Sequence, residues 1–482
     1  MTIGIGTALM AIGAGLAVGF SAIGAGIGVG ITGAAAAGVT AEKPEKFGVA
    51  LIFSAIPQTQ AIYGLLVAVL ILLSGGFLGG TAGDIPVPVG LAAVGAGLAV
   101  GIAGLSSIGQ GIASASGIAV TAEKPEMFGK GVVFAAICET QAIYGLLVAI
   151  LIMAFSGILS GQFTATPATG LAAIGCGLAI GLAGLSAIGQ GIAAAAGIGA
   201  TAEKPEMFGK GVVFAAICET QAIYGLLVAI LIMAFTGLFT GNLITTLGIG
   251  IVAIGCGLAV GFAGFSAIGQ GIAAAAGIGA TAEKPEMFGK GVVFAAICET
   301  QAIYGLLVAV LLMAFTGMIT RDLTTTAAVG LAAVGGGLAV GLAGLSAIGQ
   351  GIAAASGIAA TAEKSEMFGK GVVFAAICET QAIYGLLVAV LLMAFTGMIS
   401  HNFITTLAVG FAAIGAGLAV GLAGFSAIGQ GITCASGIAA TAKRSEAMGR
   451  SLVFAAMSET FAIFGLLVAI LIMFGLGIFS FI

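Results

Sequence analysis

Five glutamates recur inside apolar stretches of the sequence, each 80 residues after the one before: Glu139, Glu219, Glu299, Glu379 and Glu459. The first four stand in the identical nonapeptide ICETQAIYG, and Gln58 occupies the corresponding place 81 residues before the first. A charged carboxylate at the centre of a bilayer costs about 3 kcal/mol on insertion scales, and such groups usually mark ion paths or proton relays. One carboxylate repeated five times at one depth therefore favours ion or proton transfer over a structural hydrogen-bonding role.

The composition of the chain is that of a membrane protein. Hydrophobic residues make up 60% of it, charged residues only 7%, and the mean hydropathy is +1.27. Met1 is followed by no basic segment, so we expect no signal peptide. The seven cysteines lie in apolar runs beside small residues and are expected to pack rather than to form disulfides or bind metal, and His401 is expected to be solvated.

Six similar units fill the chain. Each has a Gly/Ala-rich apolar run such as 90–119, a polar link such as TAEKPEMFGK at 121–130, and a second apolar run such as 131–155. As a helix the second run would be about 37 Å long, enough to cross a hydrocarbon core of about 30 Å. We therefore predict an all-α membrane protein of twelve transmembrane helices in six tandem hairpins: 1–80 (without carboxylate), 81–161, 162–241, 242–321, 322–401 and 402–482.

The even number of helices per unit makes all hairpins parallel and places every polar link on the same side of the membrane. Thirteen of the fourteen Lys and Arg residues lie in these links, and Arg321 is the exception. The positive-inside rule then puts the links in the cytoplasm. The opposite connections, SGILSGQFTATP, TGNLITT and TRDLTTT, are short and nearly uncharged, as expected for translocated turns.

The first run of each hairpin carries glycine or alanine at four-residue spacings, for example Gly97 and Gly101. Small residues allow helices to approach closely, so we predict that the first helices form an inner layer with the bulkier second helices outside it. The segment GAGLAVG resembles a nucleotide-binding glycine motif, but it has no preceding strand and no downstream acidic residue. These glycines are therefore interpreted as packing residues.

The polar residues around each glutamate do not share its helix face. At about 100° per residue, Ile137, Thr140, Gln141 and Tyr144 lie on one face of the second helix, and Glu139 points roughly the opposite way. If these groups form one site, the site must be assembled between neighbouring hairpins.

The two outermost hairpins depart from the pattern in complementary ways. Hairpin 1 lacks the glutamate but keeps Thr59, Gln60 and Tyr63. Hairpin 6 keeps its glutamate but has Phe461 and Phe464 where Gln and Tyr are expected. Every glutamate has a partner if the Thr, Gln and Tyr side chains of each hairpin contact the glutamate of the following hairpin. The face of hairpin 6 would then meet hairpin 1 of another copy, so the chain is predicted to close head-to-tail into a ring with five sites and one blank per chain.

A glutamine of the first helix is predicted at the same depth as each glutamate. Gln110 lies about 11 residues before the polar link, and Glu139 lies 9 after it. The equivalent residues are Gln190, Gln270, Gln350 and Gln430. Hairpin 1 has Ala25 at this place by motif alignment or Val29 by ungapped counting, so it lacks the amide as well as the carboxylate.

Over its whole length the chain resembles the rotor-ring proteolipid (the K or c type) of V/A-type rotary ATPases. Hairpin 1 is similar to the carboxylate-free first hairpin of V-type rings in its segments GVGITGAAAAGVTAEKPEKFG and IPQTQAIYG. The later hairpins carry the elements IGQG and ETQAIYG, which are similar to those of sodium-binding rings. The resemblance implies an ion held by a Glu carboxylate, two Gln oxygens, a Thr hydroxyl and a helix carbonyl, with a Tyr hydroxyl bonded to the Glu. The implied sites are Glu139 with Gln110, Ile56, Thr59, Gln60 and Tyr63; Glu219 with Gln190, Ile137, Thr140, Gln141 and Tyr144; Glu299 with Gln270, Ile217, Thr220, Gln221 and Tyr224; Glu379 with Gln350, Ile297, Thr300, Gln301 and Tyr304; and Glu459 with Gln430, Ile377, Thr380, Gln381 and Tyr384.

The same resemblance implies a non-catalytic rotor subunit that carries Na⁺ past a stator and couples ion translocation to rotation. Several oxygen ligands per site exceed what a proton needs and favour Na⁺, with H⁺ as the alternative. The implied partners are further copies of the chain, a stator membrane subunit bearing an arginine, central-stalk subunits at the cytoplasmic links, and lipid, with no nucleic acid. We expect a multi-pass protein of the plasma membrane of a prokaryote.

Two other classes of protein compete with the rotor interpretation. A monomeric secondary transporter or channel could use twelve helices, but transporters usually build one or two midplane sites, often from inverted repeats. A purely structural membrane oligomer leaves the five glutamates unexplained. The direction of coupling to ATP and the number of chains per ring stay open at this point.

Overall fold

The described part of the chain is built from membrane-length α-helices. The computed structural model describes residues 4–80, 82–240, 245–321, 324–403 and 405–475, and no strand occurs within these ranges. Within these ranges eleven helices are long and apolar enough to cross a membrane, and a bent pair makes the twelfth span. The spans are α1 (Ile5–Glu42), α2 (Pro44–Ser74), α3 (Val87–Glu123), α4 (Pro125–Phe155), α5 (Pro167–Glu203), α6 (Met207–Phe235), α7 (Leu247–Glu283), α8 (Met287–Phe315), α9 (Ala327–Glu363), α10 (Met367–Ile377 and Thr380–Phe395), α11 (Leu407–Lys443) and α12 (Ala447–Gly475).

The helices form two layers, as predicted. Each odd-numbered helix packs along the odd-numbered helices before and after it, whereas the even-numbered helices touch one another only sparsely. Each even-numbered helix from α2 to α10 lies over the groove between its own inner helix and the inner helix of the next hairpin. The tighter spacing of the odd-numbered helices curves the row, so they lie on its concave side. The result is an arc of six hairpins.

Glycine makes the close approach of the inner helices possible. A Cβ placed on Gly257 of α7 would lie 2.2 Å from the carbonyl oxygen of Gly175 of α5, which is closer than any side chain tolerates. The outer helices contribute the larger residues. Phe214 of α6 is fully buried, and its ring lies against Gly277 and Gly291 of the next hairpin. Small residues inside and large residues outside therefore produce the curvature.

The polar links are shorter than the sequence pattern predicts. Helix α3 continues to Glu123 and α4 begins at Pro125, so Lys124 alone separates them, and most of the predicted link 121–130 is helical. Proline suits the first turn of a helix because its missing N–H would have no partner there. A 37-residue helix is about 55 Å long, so these helix ends extend beyond a hydrocarbon core of about 30 Å. The Lys124 ammonium donates a 2.5 Å hydrogen bond to the carbonyl oxygen of Ala202, which ties neighbouring links together.

The opposite turns follow helix ends that glycine terminates. Helix α4 ends at Phe155, and Gly157 has a φ of +79°, a left-handed conformation that favours glycine. Parts of the predicted turns TGNLITT and TRDLTTT lie outside the described residues. His401 is exposed, and all seven cysteines are buried and free of disulfide bonds.

Candidate ion-binding sites

Five of the six outer helices are interrupted at the level of the glutamates in the described structure, and α12, which carries Glu459, is the exception. In α8 a 3-10 turn, Ile297–Glu299, separates two α-helical segments, and equivalent turns interrupt α2, α4 and α6. Helix α10 bends by 42° at the same level. Each second apolar run still forms one span, but among the described outer helices only α12 is free of an interruption at this level. A tighter turn changes the rotation of the glutamate relative to the threonine, glutamine and tyrosine that follow it.

The third site illustrates the surroundings of a glutamate. The carboxylate of Glu299 on α8 is half-buried and accepts a 2.7 Å hydrogen bond from the hydroxyl of Tyr224 on α6, in the preceding hairpin. Its other oxygen accepts from Gln270 Nε2 of α7 at 3.4 Å. Gln270 Oε1 in turn accepts from Gln221 Nε2 of α6 at 2.7 Å, and both amides are fully buried. Three helices from two hairpins therefore meet at one carboxylate.

Three neutral oxygens cluster beside these amides. Thr220 Oγ1 donates to the carbonyl oxygen of Ile217 at 3.0 Å and lies 3.2 Å from Gln221 Oε1. The Gln221 amide therefore turns its oxygen towards the threonine and its nitrogen towards the next hairpin. Together with the carboxylate and the inner-helix amide, these groups supply five oxygens that one small cation could bind.

The same arrangement recurs at all five glutamates. The Tyr hydroxyl to Glu distance is 2.5–2.7 Å, the distance between the two glutamines is 2.7 Å, and the Gln to Glu distance is 3.4 Å. The structure thus brings together, across each hairpin boundary, the groups that the sequence pattern combines. The sites are Tyr63, Gln60 and Gln110 with Glu139; Tyr144, Gln141 and Gln190 with Glu219; Tyr224, Gln221 and Gln270 with Glu299; Tyr304, Gln301 and Gln350 with Glu379; and Tyr384, Gln381 and Gln430 with Glu459.

The threonines and the helix carbonyls also keep one geometry. Each threonine hydroxyl donates to the carbonyl oxygen three residues before it, at 2.9–3.1 Å. The pairs are Thr59 with Ile56, Thr140 with Ile137, Thr220 with Ile217, Thr300 with Ile297, and Thr380 with Ile377.

Packing of the inner helices identifies the residue of hairpin 1 that replaces the glutamine. A Cβ on Gly111 would lie 2.5 Å from the carbonyl oxygen of Gly28, just as one on Gly191 would lie 2.1 Å from that of Gly109. Gly28 therefore corresponds to Gly109, and the residue that follows it, Val29, takes the place of the ligand glutamine.

The alternative from motif alignment, Ala25, lies one helical turn earlier and is wrong for the amide position. Helix α1 is uninterrupted and has 38 residues, whereas α3 has 37 and a break at Gly104–Ser106. Gly13 corresponds to Gly95 before the break and Gly28 to Gly109 after it, so the break shifts the register between the two ends of the helix by one residue. Gln58 is exposed. Hairpin 1 thus has neither the amide nor the carboxylate of a site.

The far end of the arc presents an apolar face instead of ligands. Phe461 and Phe464 of α12 are 62% and 55% exposed, and their rings contact each other at 6.2 Å between centroids. These phenylalanines stand where the other outer helices have Gln and Tyr. Site formation therefore stops at the fifth hairpin boundary.

Ser266 of α7 is a further polar group at this level that the sequence pattern did not indicate. Its hydroxyl oxygen lies 3.5 Å from Gln221 Nε2. The available signal in the sequence is a serine four residues before the glutamine in each SSIGQ or SAIGQ motif.

The donor set limits the chemistry of these sites. Each has one carboxylate among neutral oxygens, and no group of three or more His, Cys, Asp or Glu side chains occurs within the described residues. Hard oxygen ligands with one negative charge suit a monovalent cation or a proton and do not suit a soft transition metal. The arrangement can bind, neutralise and release one cation per hairpin boundary.

Comparison with known proteins agrees with this arrangement. The sequence profile of the ATP synthase C-subunit family matches six segments, one in each hairpin: 12–71, 94–152, 174–232, 254–312, 326–392 and 414–472. The A-type ATP synthase subunit K of Methanocaldococcus jannaschii is 56% identical over 227 residues, which cover 47% of this chain and 97% of that protein. The V-type sodium ATPase subunit K of Enterococcus hirae is 44% identical over 124 residues, covering 26% of this chain and 76% of that protein.

A relative from a proton ATPase is also similar. The V-type proton ATPase 16 kDa proteolipid of Nephrops norvegicus is 34% identical over 136 residues, covering 27% of this chain and 84% of that protein. The six matched segments span more than half of the chain. A match to this family over six segments excludes the two competing classes, a monomeric transporter or channel and a purely structural membrane oligomer. The chain therefore belongs to the ATP synthase C-subunit family and is a V/A-type rotor proteolipid with six fused hairpins.

Proposed function

We propose that this rotor proteolipid carries Na⁺ on its five intramembrane glutamates and couples the passage of the ion to rotation of the ring. The observation that supports this most is the repeated meeting of each glutamate with the oxygen-bearing face of the preceding hairpin, as at Glu299. A proton needs one carboxylate oxygen. Two amides, a hydroxyl and a carbonyl beside the same carboxylate are superfluous for a proton but suit a hard metal cation.

Binding requires little movement of the ligands. Gln270 Oε1 already accepts one hydrogen bond from Gln221 and keeps a second lone pair for a cation. Gln221 Oε1 and the Thr220 hydroxyl oxygen already face each other at 3.2 Å. An ion placed among them would compensate the charge of Glu299, so that the site could pass lipid without exposing a bare carboxylate.

Rotation then follows from the charge of the glutamate. The ion-loaded site is neutral and can face lipid, whereas the empty carboxylate needs a compensating positive charge, for which we propose an arginine of a stator subunit. Entry and exit of the ion on opposite sides of that arginine would make rotation directional. We further propose that the polar links face the cytoplasm, where the central stalk binds them, and that the membrane is the plasma membrane of a prokaryote.

We propose that the arc closes into a ring with further copies of the same chain. Within the arc, glycines such as Gly349 would have a Cβ only 1.9 Å from the next inner helix. At the end of the arc, a Cβ placed on the equivalent Gly429 would have no atom of the described residues of another element within 4 Å. At the opposite end, Gly15 and Gly30 occupy the positions of Gly97 and Gly111, which contact the preceding helix, and also have nothing within 4 Å. The two ends of the arc thus carry glycines of the type that contacts a neighbouring inner helix, and in the described residues no helix lies against them.

The polar links support the same junction. Within the chain Lys43 forms a 2.5 Å ion pair with Glu123 of the following hairpin. Hairpin 6 has Lys443 and Arg444 at the places of a glutamate and a lysine, so Arg444 would meet Glu42 of the next copy. The junction would carry no ion site, because it would combine Phe461 and Phe464 with a hairpin that has no glutamate. Each chain would then deliver five ions per revolution.

Carbodiimide labelling of the purified ring tests the sodium proposal. The reagent modifies accessible carboxyls, and mass mapping reports each glutamate separately. We expect Na⁺, and not the same concentration of K⁺, to protect all five glutamates. Labelling that responds to pH alone would show that the carried ion is H⁺ and not Na⁺. Absence of labelling at these positions would contradict the proposal that the glutamates carry the ion.

Blocking the junction tests ring closure. We expect Gly429→Val to leave helical hairpins intact but to prevent closed rings, because its side chain would collide with α1 of the next copy. Gly38→Val is the matched control, since its counterparts Gly199 and Gly279 have neighbours on both sides and still contact nothing within 4 Å. Native mass spectrometry of the detergent-solubilised protein distinguishes rings from single chains. Closed rings of the Gly429→Val protein would contradict this junction.

A further inference from the structure

We propose that five inner-helix serines are positioning residues of the ion sites, which orient the glutamine amide of the preceding hairpin so that its oxygen faces the ion. This inference rests on the proposed binding of Na⁺. The serines are Ser106, Ser186, Ser266, Ser346 and Ser426.

The buried amide of each outer-helix glutamine has two N–H groups to satisfy. Gln221 Nε2 donates one hydrogen bond to Gln270 Oε1 at 2.7 Å, and its closest further acceptor is Ser266 Oγ at 3.5 Å. All three side chains are fully buried. A buried amide N–H without an acceptor is costly, so the serine hydroxyl is the group that can satisfy it.

The serine hydroxyls are free for this role. The hydroxyl oxygens of Ser106, Ser186, Ser346 and Ser426 are buried and have no hydrogen-bond partner within the described part of the chain. Serines in regular helices usually bond to a carbonyl of their own helix, as Ser21 of the uninterrupted α1 does to Ala17 at 2.7 Å. The five serines instead end the break in each inner helix, where the local turns are of 3-10 type. The break therefore leaves these hydroxyls without a bond to their own helix, and within the described residues that of Ser266 comes within 3.5 Å of the Gln221 amide nitrogen.

Hairpin 1, at one end of the chain, lacks the serine, and hairpin 6, at the other end, lacks the outer-helix glutamine. The register established by Gly28 and Gly109 places Ala25 at the serine position of α1. At the proposed junction Ala25 would face Phe461, which has no amide to orient. Serine is thus present at the five boundaries where the preceding hairpin has a glutamine and absent at the sixth.

Orientation of the amide determines whether it attracts or repels a cation. With its nitrogen held by Ser266 and Gln270, Gln221 directs Oε1 towards Thr220 and the ion. A flipped amide would direct its N–H groups at the ion and exclude it. Loss of one neutral hydrogen bond corresponds to about a fivefold change in the equilibrium. Removal of the hydroxyl is therefore expected to raise the Na⁺ concentration for half-protection about fivefold.

The test uses Ser266→Ala in the intact ring, with carbodiimide labelling of each glutamate measured against Na⁺ concentration. We expect about a fivefold rise at Glu299 and no change at the other four glutamates, which serve as internal controls. In a Gln221→Leu background the serine substitution should add nothing, because its effect passes through the amide. If the substitution instead damaged the structure of α7, the Na⁺ concentration for half-protection would rise at several glutamates, or the rise would persist in the Gln221→Leu background.

A matched pair in hairpin 2 provides the second test. Ser106 and Ser114 are both fully buried, and neither hydroxyl has a hydrogen-bond partner among the described residues. They lie one turn before and one turn after Gln110. Ser106→Ala should shift the protection of Glu139, and Ser114→Ala should not, since hairpins 3, 4 and 5 have alanine there, as Ala194, Ala274 and Ala354. Equal effects of the two substitutions on the protection of Glu139 would overturn the proposal, and so would unchanged protection of Glu299 in the Ser266→Ala protein. Neither outcome would affect the proposed binding of Na⁺, provided that Na⁺ protects the wild-type ring. A wild-type ring unprotected by Na⁺ would overturn both this proposal and the sodium function.

Discussion

Gln141→Leu offers the sharpest test of how the sites are assembled. Gln141 is two residues from Glu139 in sequence, yet its amide donates to Gln190 Oε1 at 2.7 Å, in the site of Glu219. It is fully buried, and its own oxygen lies 3.2 Å from the Thr140 hydroxyl. The substitution should therefore weaken ion binding at Glu219 and leave Glu139 unchanged.

The size of the effect follows from the lost contact. A polar group bonded to a charge contributes about 1.5–3 kcal/mol, and about 1.4 kcal/mol is a factor of ten. We expect the Na⁺ concentration for half-protection of Glu219 to rise about 10- to 100-fold. Leucine has nearly the volume of glutamine, so the packing of α4 should change little.

The assay is carbodiimide labelling of the ring over a Na⁺ titration at fixed pH. The peptides must extend beyond Ser156 and Thr236, where the otherwise identical segments around Glu139 and Glu219 differ in sequence. Gln60→Leu is the matched control, because it should shift Glu139 instead. A shift at Glu139 in the Gln141→Leu protein, with Glu219 unchanged, would refute assembly across the hairpin boundary.

Three further substitutions test the carboxylate contact, the inner packing and the blank hairpin. Tyr224→Phe removes the 2.7 Å hydrogen bond to Glu299, so labelling of this glutamate at subsaturating Na⁺ should become about 10-fold faster because the carboxylate is less firmly held. Gly257→Ala should lower the free energy of unfolding by about 1–3 kcal/mol, measured by thermal denaturation in detergent, because its Cβ would lie 2.2 Å from a backbone oxygen. Gly279→Ala on the same helix meets nothing within 4 Å and should be neutral or slightly stabilising. Gln58→Glu should add a carboxyl that reacts with carbodiimide but is not protected by Na⁺, since hairpin 1 lacks the inner-helix amide and the proposed junction supplies phenylalanines in place of glutamine and tyrosine.

The outcomes that contradict these predictions are equally specific. Unchanged labelling of Glu299 in the Tyr224→Phe protein would mean that the tyrosine does not hold the carboxylate. Equal stability of the two glycine variants would show that the close approach of α5 and α7 is not limiting. Protection of the new carboxyl at position 58 by Na⁺ would mean that hairpin 1 retains a site and that the junction differs from the one proposed.

The outer-helix geometry is the part of the site that sequence reasoning predicts least well. The identical ICETQ segments carry no proline or glycine to announce an interruption, yet a 3-10 turn lies at Ile297–Glu299 and its equivalents. The turn depends on how the outer helix packs against two inner helices at once. Local propensity contains no information about that packing, so the sequence does not distinguish the interrupted outer helices from α12, which is continuous.

The sequence by itself determined the membrane class, the six repeats and the twelve spans, and it predicted that each glutamate faces the preceding hairpin. These follow from composition, from an 80-residue period and from complementary losses at the two ends, because each leaves a direct trace in residue type and position. Only the tertiary structure decided that Val29, and not Ala25, replaces the glutamine of hairpin 1, because the two possible alignments differ by one helical turn and only the contact of Gly111 with Gly28 distinguishes them. It also decided that Ser266 lies beside the amide of another hairpin, since that contact joins residues whose proximity depends on the packing of two helices.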